Sequence, residues 1–220
     1  MKNKERSLFL KVFDIRMLFF DFAKWTAFPF LWLILRPKKI YLNGKKPKGL
    51  TKGKYIIASN HISSWDHFIV MSAFPSRRVS FVSTMKMYKK CPLFFKLFHV
   101  VPVDKNKPSI QIFKKVKNFL YRGHIMTMFP EGNISETTEL ETFKGGTAMM
   151  SAISEADILP IYIGKRKTFT QRKVVIVGNK IKYSELFKSN IPTKDEINKA
   201  CLLLMEKEKE LENKFNELYN

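Results

Sequence analysis

The sequence contains only two cysteines among its 220 residues, Cys91 and Cys201. They lie far apart, and neither belongs to a Cys-x-x-Cys pair. No histidine cluster accompanies them at the spacing of a zinc site, so we expect no metal centre. The pattern excludes a disulfide scaffold and predicts two reduced thiols in a protein that faces the cytosol.

Acidic residues are also scarce. Asp and Glu number 19 against 40 Lys and Arg, which gives a net charge of +21. Such an imbalance indicates partners rather than a fold: nucleic acid, an anionic membrane, or an acidic or phosphate-bearing molecule. Because no helix-turn-helix, zinc or RNA-binding signature is present, we expect no nucleic-acid partner. Apolar residues make up 45% of the chain, too many for a disordered protein.

The N-terminal region lacks an uninterrupted apolar run long enough to cross a membrane. The longest charge-free stretch, from Trp25 to Leu35, has eleven residues, whereas a spanning helix needs about 20. Pro29 breaks or kinks a helix within this stretch. The charged residues that interrupt the apolar sequence before it are Asp14, Arg16, Asp21 and Lys24.

Basic residues flank this region on both sides, and Trp25 and Trp32 suit a membrane interface. Equal basic flanks favour a helix pair that enters one leaflet and returns, or lies in the interface. We therefore predict that residues 1–36 form an amphipathic membrane-associating helix pair. An ordinary core helix pair and a single membrane span are the alternatives.

After residue 36, short apolar runs typical of strands alternate with helical stretches. The predicted strands are Ile40–Leu42, Tyr55–Ser59, Val79–Ser83, Val100–Val103, Ile125–Phe129, Ile158–Ile163 and Val174–Val177. The predicted helices among them are Asp66–Ala73, Pro92–Phe98, Ser109–Tyr121 and Lys144–Ala156. This alternation predicts an α/β fold with a mostly parallel mixed sheet flanked by helices.

The C-terminal region predicts one long helix over residues 193–219. Thr193 and Glu196 form the T-x-x-E pattern of a capping box at its start. Apolar residues then recur at three- and four-residue steps, which makes one stripe on a highly charged helix. We expect this helix to dock on the α/β domain, which would comprise residues 37–220.

The residues best suited to chemistry lie in NHISSWD, residues 60–66. Positions five apart point in different directions in a regular helix or strand, so His61 and Asp66 meet only across a bend. A strand that ends near Ser59 and turn-forming residues after it predict that bend, with His61 on a loop at the mouth of the sheet. A histidine held by a carboxylate is typical of a general base.

No G-x-S-x-G motif supplies a nucleophile, so such a base would act directly on a substrate hydroxyl. We interpret the other histidines as structural: His67 follows Asp66 directly but would point elsewhere on the helix, and His99 and His124 have no acidic neighbour in sequence. A second polar site follows the apolar run IMTMF: Pro130 and Gly132 flank Glu131 and predict a turn that presents its carboxylate at a strand end.

These segments together resemble the glycerolipid acyltransferases, and among them the lysophosphatidic acid acyltransferases. NHISSWD is similar to the first block of the family, N-H-x-S-x-x-D, and FPEGNIS to the third. VPVDKNK, residues 101–107, resembles the second block, and ILPIYI, residues 158–163, the fourth. FKGG, residues 143–146, resembles the lysine-glycine stretch that follows the third block.

The resemblance implies transfer of an acyl group from a CoA or carrier-protein thioester to a glycerol hydroxyl at a membrane, on its cytoplasmic face. No cofactor beyond the thioester co-substrate is implied. His61 would be the general base and Asp66 its orienting partner. The residues implied in substrate binding are Glu131, Gly132, Asn133, Lys105, Lys144 and Pro160, of which Pro160 would shape the floor of the acyl-binding region.

The chain departs from the family at Ile134, where the third block carries an arginine associated with the phosphate of the acceptor. An aliphatic side chain cannot form the paired charged hydrogen bonds of arginine. The cations that could replace it are Lys105, Lys144, Lys165 and Arg166. The acceptor is therefore lysophosphatidic acid or another lysolipid, such as a second lysophospholipid or a lyso-ornithine lipid. A catalytically silent membrane-binding relative is the remaining alternative.

Overall fold

The computed structural model describes residues 18–26, 28–104, 109–132, 134, 143–165, 168, 171–189 and 191–219. This part of the chain forms seven strands and nine helices. The strands are β1 (Lys38–Tyr41), β2 (Tyr55–Ser59), β3 (Arg78–Thr84), β4 (Val101–Val103), β5 (His124–Met128), β6 (Asp157–Ile163) and β7 (Val174–Val177). The helices are α1 (Leu18–Thr26), α2 (Phe28–Leu35), α3 (Asp66–Ala73), α4 (Met85–Tyr88), α5 (Pro92–Leu97), α6 (Ile110–Tyr121), α7 (Gly146–Ser154), α8 (Tyr183–Leu186) and α9 (Lys194–Tyr219).

All seven predicted strands are present, with ends displaced by at most two residues. The predicted helices are present as well, but α7 is shorter than expected. It ends because Glu155 adopts a left-handed backbone with φ of 49°, and its N–H bonds back to the carbonyl of Ala152. The one-turn helices α4 and α8 were not predicted, since four residues are too few to show a helical period.

The strands form one sheet in the order β1-β7-β6-β2-β5-β3-β4. Neighbouring strands are parallel except β6 and β7, which are antiparallel. The predicted mostly parallel mixed sheet is confirmed. Its central strand, β2, is buried along its whole length, as expected of a parallel strand covered on both faces.

Helices cover both faces of the sheet because successive side chains of a strand point to opposite sides. Ile57 belongs to the core shared with α1, α2 and α3, whereas its neighbour Ile56 packs with α6 and α7. The long helix α9 lies over β6 and β7 on the second face, through Leu204, Leu211 and Phe215. The two faces of the sheet are therefore covered by different helices.

The N-terminal helices α1 and α2 attach to the domain by one face. Phe20 and Leu35 are buried in the core, and the Asp21 carboxylate accepts a hydrogen bond of 2.9 Å from Arg78 Nε. The opposite face exposes large apolar side chains, among them Trp25 at 78% and Phe30 at 72%. This pattern is not that of an ordinary core helix pair, whose apolar residues would be buried.

The length and composition of these helices were also compared with those of a membrane span. Within the described ranges, no single helix is long and apolar enough to cross a bilayer. Taken together, α1 and α2 reach the composition of a span, but they are bent relative to each other by 49°. A bent pair with one exposed apolar face is compatible with the predicted interfacial arrangement and with a broken span.

The predicted capping box starts α9. Glu196 N–H donates to Thr193 Oγ1 at 3.2 Å, and Thr193 N–H donates to Glu196 Oε2 at 2.8 Å. At the other end of the helix, the ring of Phe215 lies directly over Gly164, which follows β6. A Cβ atom on Gly164 would come within 2.1 Å of Phe215 Cε2. Close packing of α9 on the sheet therefore requires glycine at this position.

We expect Gly164→Ala to lower the free energy of unfolding by about 1–3 kcal/mol, because the new methyl group displaces Phe215 and the end of α9. Urea unfolding followed by circular dichroism measures this change. The matched control is Gly146→Ala at the start of α7, where a Cβ would meet no atom within 4 Å. Equal unfolding midpoints for the two variants would contradict this account of how α9 docks.

Candidate active site

The candidate site lies where β2, β5 and β6 end. These three strands are parallel neighbours, so their carboxyl ends share one edge of the sheet. Asn60 and His61 follow β2, and the turn from Phe129 to Gly132 follows β5. Open α/β sheets place ligand sites at this edge, where connections leave a strand in both directions.

Asn60 joins the ends of β2 and β6. Its side-chain amide donates to the carbonyl of Ile163 at 3.0 Å, and its side-chain oxygen accepts from the Ile163 N–H at 2.7 Å. Asn60 is buried, so both bonds form away from water. This pair fixes the point at which the chain leaves the sheet, one residue before His61.

The structure brings His61 and Asp66 together across the predicted bend. His61 Nδ1 lies 2.9 Å from Asp66 Oδ2, and Asp66 is fully buried in the first turn of α3. The same oxygen accepts from the backbone N–H groups of Ile62 and Ser63, each at 2.7 Å. The second carboxylate oxygen accepts from Ser63 Oγ at 3.1 Å. One carboxylate therefore holds both the imidazole and the loop that carries it.

The carboxylate also selects the tautomer of His61. Asp66 accepts at Nδ1, so this nitrogen carries the proton and Nε2 keeps its lone pair. The imidazole stacks on the ring of Phe129, with centroids 4.0 Å apart and planes inclined by 18°. Held by Asp66 and Phe129 and still partly exposed, His61 can accept a proton at Nε2 from a group bound at the edge of the sheet.

His67 lies beside His61 but on the protein side of it. Its ring packs against Phe81 at 4.2 Å and Phe129 at 4.9 Å between centroids. Burial and, to a smaller extent, the charge of a protonated His61 lower the pKa of His67 to about 4, against the opposing effect of Asp66. His67 is therefore neutral at physiological pH. Its packing agrees with the structural role predicted from the sequence.

The remaining histidines lie elsewhere. His124 begins β5, is fully buried, and has its Nδ1 3.1 Å from Ser80 Oγ. Burial, together with nearby positive charges, lowers its pKa to about 3. His99 follows α5 and has a left-handed backbone with φ of 53°. Both sit outside the group formed by His61 and Asp66.

The Glu131 turn stands at the same edge. Gly132 N–H donates to the carbonyl of Phe129 at 3.0 Å, and Glu131 is buried. Gly132 has φ of 78°, and a Cβ there would lie 3.1 Å from Lys144 Nζ. Lys144 is anchored in turn by its backbone N–H, which donates to the Pro130 carbonyl at 2.9 Å. The structure thus brings Glu131, Gly132 and Lys144 together.

Of the predicted substrate-binding residues that the structure describes, Pro160 does not join this group. Pro160 lies within β6 opposite Ala58, and it lines a pocket with Gly178, Leu203 and Leu211 of α9. Its role in the acyl-binding region stays a prediction. Ile134 is exposed, as is Lys165 beyond β6. Three predicted residues lie outside the described ranges: Lys105, Asn133 and Arg166.

Two buried carboxylates of α9 were missed by the sequence analysis. Glu208 is 1% exposed, and Glu212 is buried beside it. Burial raises the pKa of Glu208 well above its ordinary value, and the charges of Glu131 and Glu212 raise it further. The same carboxylates act with burial to raise the pKa of Tyr162. The signal was available in the sequence: Glu208 falls on the apolar stripe, four residues after Leu204.

We expect Asn60→Ala to lower the free energy of unfolding by about 2–4 kcal/mol, because it leaves the N–H and carbonyl of Ile163 buried without partners. Urea denaturation of the purified variant measures the loss. Asn198→Ala, at an exposed position of α9, is the matched control. If both variants unfold at the same urea concentration, Asn60 does not hold β2 to β6.

Comparisons with known proteins identify the family of this chain. The acyltransferase family model matches residues 38–164, more than half of the chain. The 1-acyl-sn-glycerol-3-phosphate acyltransferase of Bacillus subtilis (strain 168) is 25% identical over 172 residues, covering 74% of this chain and 84% of that protein. The crystal structure of the 1-acyl-sn-glycerophosphate (LPA) acyltransferase PlsC from Thermotoga maritima matches with a TM-score of 0.59 at 14% identity, over 88% of this chain and 81% of its own. This last match supports the fold, the predicted resemblance is confirmed, and the chain belongs to the acyltransferase family.

Proposed function

We propose that this protein is an O-acyltransferase that moves a fatty acyl group from an acyl thioester to the free hydroxyl of lysophosphatidic acid in phospholipid synthesis. The observation that carries the proposal is the His61–Asp66 pair at the carboxyl edge of β2, in a chain of the acyltransferase family. The names of the two relatives support the acceptor class.

His61 acts as the general base in the proposed reaction. Nε2 takes the proton of the acceptor hydroxyl while its oxygen attacks the thioester carbonyl. The tetrahedral intermediate then collapses, the carbon–sulfur bond breaks, and the thiolate takes the proton back from the imidazolium. Asp66 stabilises the imidazolium and keeps the ring aligned, since its carboxylate is already fixed by three further hydrogen bonds from Ile62 and Ser63.

The turn after β5 binds the acceptor in this proposal. Lys144 Nζ lies over Gly132, where its charge can contact the phosphate that the family arginine would otherwise hold. Ile134 favours a second acceptor class, because its exposed aliphatic side chain cannot form hydrogen bonds or an ion pair with a phosphate monoester. That class comprises other lysophospholipids and lyso-ornithine lipids. The donor is acyl-CoA or an acyl carrier protein thioester, and no further cofactor is proposed.

The protein works at a membrane in this proposal, as a monotopic or peripheral protein on the cytoplasmic face. The support is the outward face of α1 and α2, where Phe22, Trp25 and Phe30 are exposed while Phe20 holds the helix to the core. Apolar faces of this kind suit burial at the boundary of headgroups and acyl chains.

We expect His61→Ala to lower the rate of acyl transfer by at least about 10³-fold, because the variant lacks the group that accepts the hydroxyl proton. Release of free thiol from a long-chain acyl-CoA in the presence of lysophosphatidic acid measures the rate. His99→Asn is the matched control, since asparagine tolerates the left-handed backbone at that position. Thiol release by His61→Ala at the parent rate would refute the base assignment. A parent protein inactive with every lysolipid would support the silent alternative.

We expect Lys144→Gln to raise the KM for lysophosphatidic acid by about tenfold, because it removes a charge that pairs with the phosphate. The KM for a lyso-ornithine lipid, which has no phosphate, should not change. Lys188→Gln, at an exposed position after α8, is the matched control. Mass spectrometry of the products from a panel of lysolipids measures both constants. An unaltered KM, or a parent enzyme that prefers the phosphate-free acceptor, would favour the second class.

A further inference from the structure

We propose that residues 85–98, which contain α4 and α5 and are called here the α4–α5 segment, form a second membrane-binding surface that contacts an anionic bilayer beside the active site. This inference rests on the proposed function, which places the protein at a membrane. It goes beyond that function because the N-terminal helices alone would suffice to hold the protein there.

The α4–α5 segment lies at the same edge of the sheet as His61. It follows β3, which is parallel to β5, and β5 is parallel to β2. The carboxyl ends of these strands share one edge, so the chain enters α4 at the level where it leaves β2 for His61. Trp65, in the loop between His61 and Asp66, is 57% exposed and adds a large ring to the same edge.

The segment exposes apolar side chains that its own packing does not require. Leu93 is 69% exposed, and Met87 and Phe94 are also exposed. The segment is nevertheless firmly attached, because Phe95 and Phe98 pack into the main core. Phe95 and Phe98 therefore attach the segment to the core, and the outward side chains remain available for contact with a bilayer.

The charges of the segment complement an anionic surface. Its four lysines are all exposed: Lys86, Lys89, Lys90 and Lys96. The sequence has no acidic residue between Asp66 and Asp104, so no carboxylate of the segment or its flanks offsets these charges. Lysines interleaved with apolar residues suit a bilayer, where ammonium groups meet anionic headgroups and the apolar side chains enter below them.

The segment is continuous with the exposed face of α1. The ring of Phe98 lies 6.0 Å from Phe19 and 6.2 Å from Phe20, and 4.5 Å from Phe94. Phe19 is exposed and Phe20 is buried. Their contact with Phe98 therefore places the exposed face of α1 next to the exposed face of the α4–α5 segment. The helices α1 and α5 thus present one surface, which favours a bilayer over a small acidic protein as the occupant.

Such a surface has a consequence for the acceptor. With the α4–α5 segment on the membrane, the carboxyl edge that carries His61 faces the headgroups. A lysolipid can then present its hydroxyl to the imidazole while its acyl chain stays near the bilayer.

The native thiol of Cys91 reports directly on this contact, since it is exposed at the start of α5. An environment-sensitive fluorophore is attached to Cys91 in the full-length Cys201→Ser variant. On addition of mixed phosphatidylcholine–phosphatidylglycerol vesicles we expect a blue shift of its emission, and a smaller one with phosphatidylcholine alone. The control carries the label at Leu202→Cys, with both native cysteines replaced by serine, on the helix that covers the opposite face of the sheet; its emission should not change.

Vesicle sedimentation of unlabelled protein tests the side chains. We expect Leu93→Ser to weaken vesicle affinity by about tenfold, and separately the triple change of Lys86, Lys89 and Lys90 to Gln to weaken it by about 100-fold. The matched controls are Leu202→Ser and the triple change of Lys188, Lys194 and Lys199 to Gln, which removes the same charge elsewhere. No substrate is needed, so failure of the proposed reaction would not affect the outcome.

Two outcomes would overturn the inference. In the first, Phe22→Ser with Trp25→Ser releases the protein from vesicles, while the Cys91 label and the segment variants show no effect. The N-terminal helices would then be the membrane contact without the segment. In the second, the label responds to an acyl carrier protein and not to vesicles, which would assign the surface to an acidic protein partner.

Discussion

The geometry of the site depends on one buried carboxylate. Asp66 lies at the start of α3 with no access to water, where an ionised group requires hydrogen bonds to be stable. The loop that precedes it supplies them by folding back, so that Ile62 N–H, Ser63 N–H and the imidazole of His61 point at the same oxygen. The bend that brings His61 and Asp66 together, five residues apart, is therefore stabilised by hydrogen bonds to the Asp66 carboxylate.

Asn60 completes this arrangement from the side of the sheet. Its two bonds to Ile163 hold the end of β2 to the end of β6, and the loop that carries His61 starts from that fixed point. An imidazole held at both ends of its loop would need little reorganisation in the proposed reaction. The stacking of His61 on Phe129 then ties the imidazole to the strand whose turn carries Glu131.

Much of the fold was predictable because its signals are local. Strands such as Tyr55–Ser59 are short apolar runs between turn formers. A capping box and a periodic apolar stripe predict α9. The meeting of His61 and Asp66 was predictable because geometry leaves only one kind of chain path between them. The clamp formed by Asn60 was not, since Ile163 lies more than one hundred residues away in sequence.

The closeness of Glu208 to Glu131 was not predictable for the same reason, since the two residues are far apart in sequence. For a glutamate in a helix rich in Lys and Glu, the sequence predicts a solvated side chain. The docking of α9 on the sheet places Glu208 close enough to Glu131 for the charge of Glu131 to raise its pKa. The raised pKa of Glu208 favours its neutral form, so burial there costs less than it would for a carboxylate. The feature of the sequence that separates Glu208 from its exposed neighbour Glu206 is its place on the apolar stripe.

The N-terminal helices show how a charge can mislead when read alone. Asp21 interrupts the apolar sequence and counts against a membrane span, yet in the structure it faces the domain and binds Arg78. The charge is thus removed from the outward face, which keeps Phe22 and Trp25. Because Asp21 and Phe20 both hold α1 to the domain, the exposed apolar face has a fixed orientation relative to the sheet. That orientation sets the carboxyl edge, and with it His61, at a defined angle to whatever surface α1 contacts.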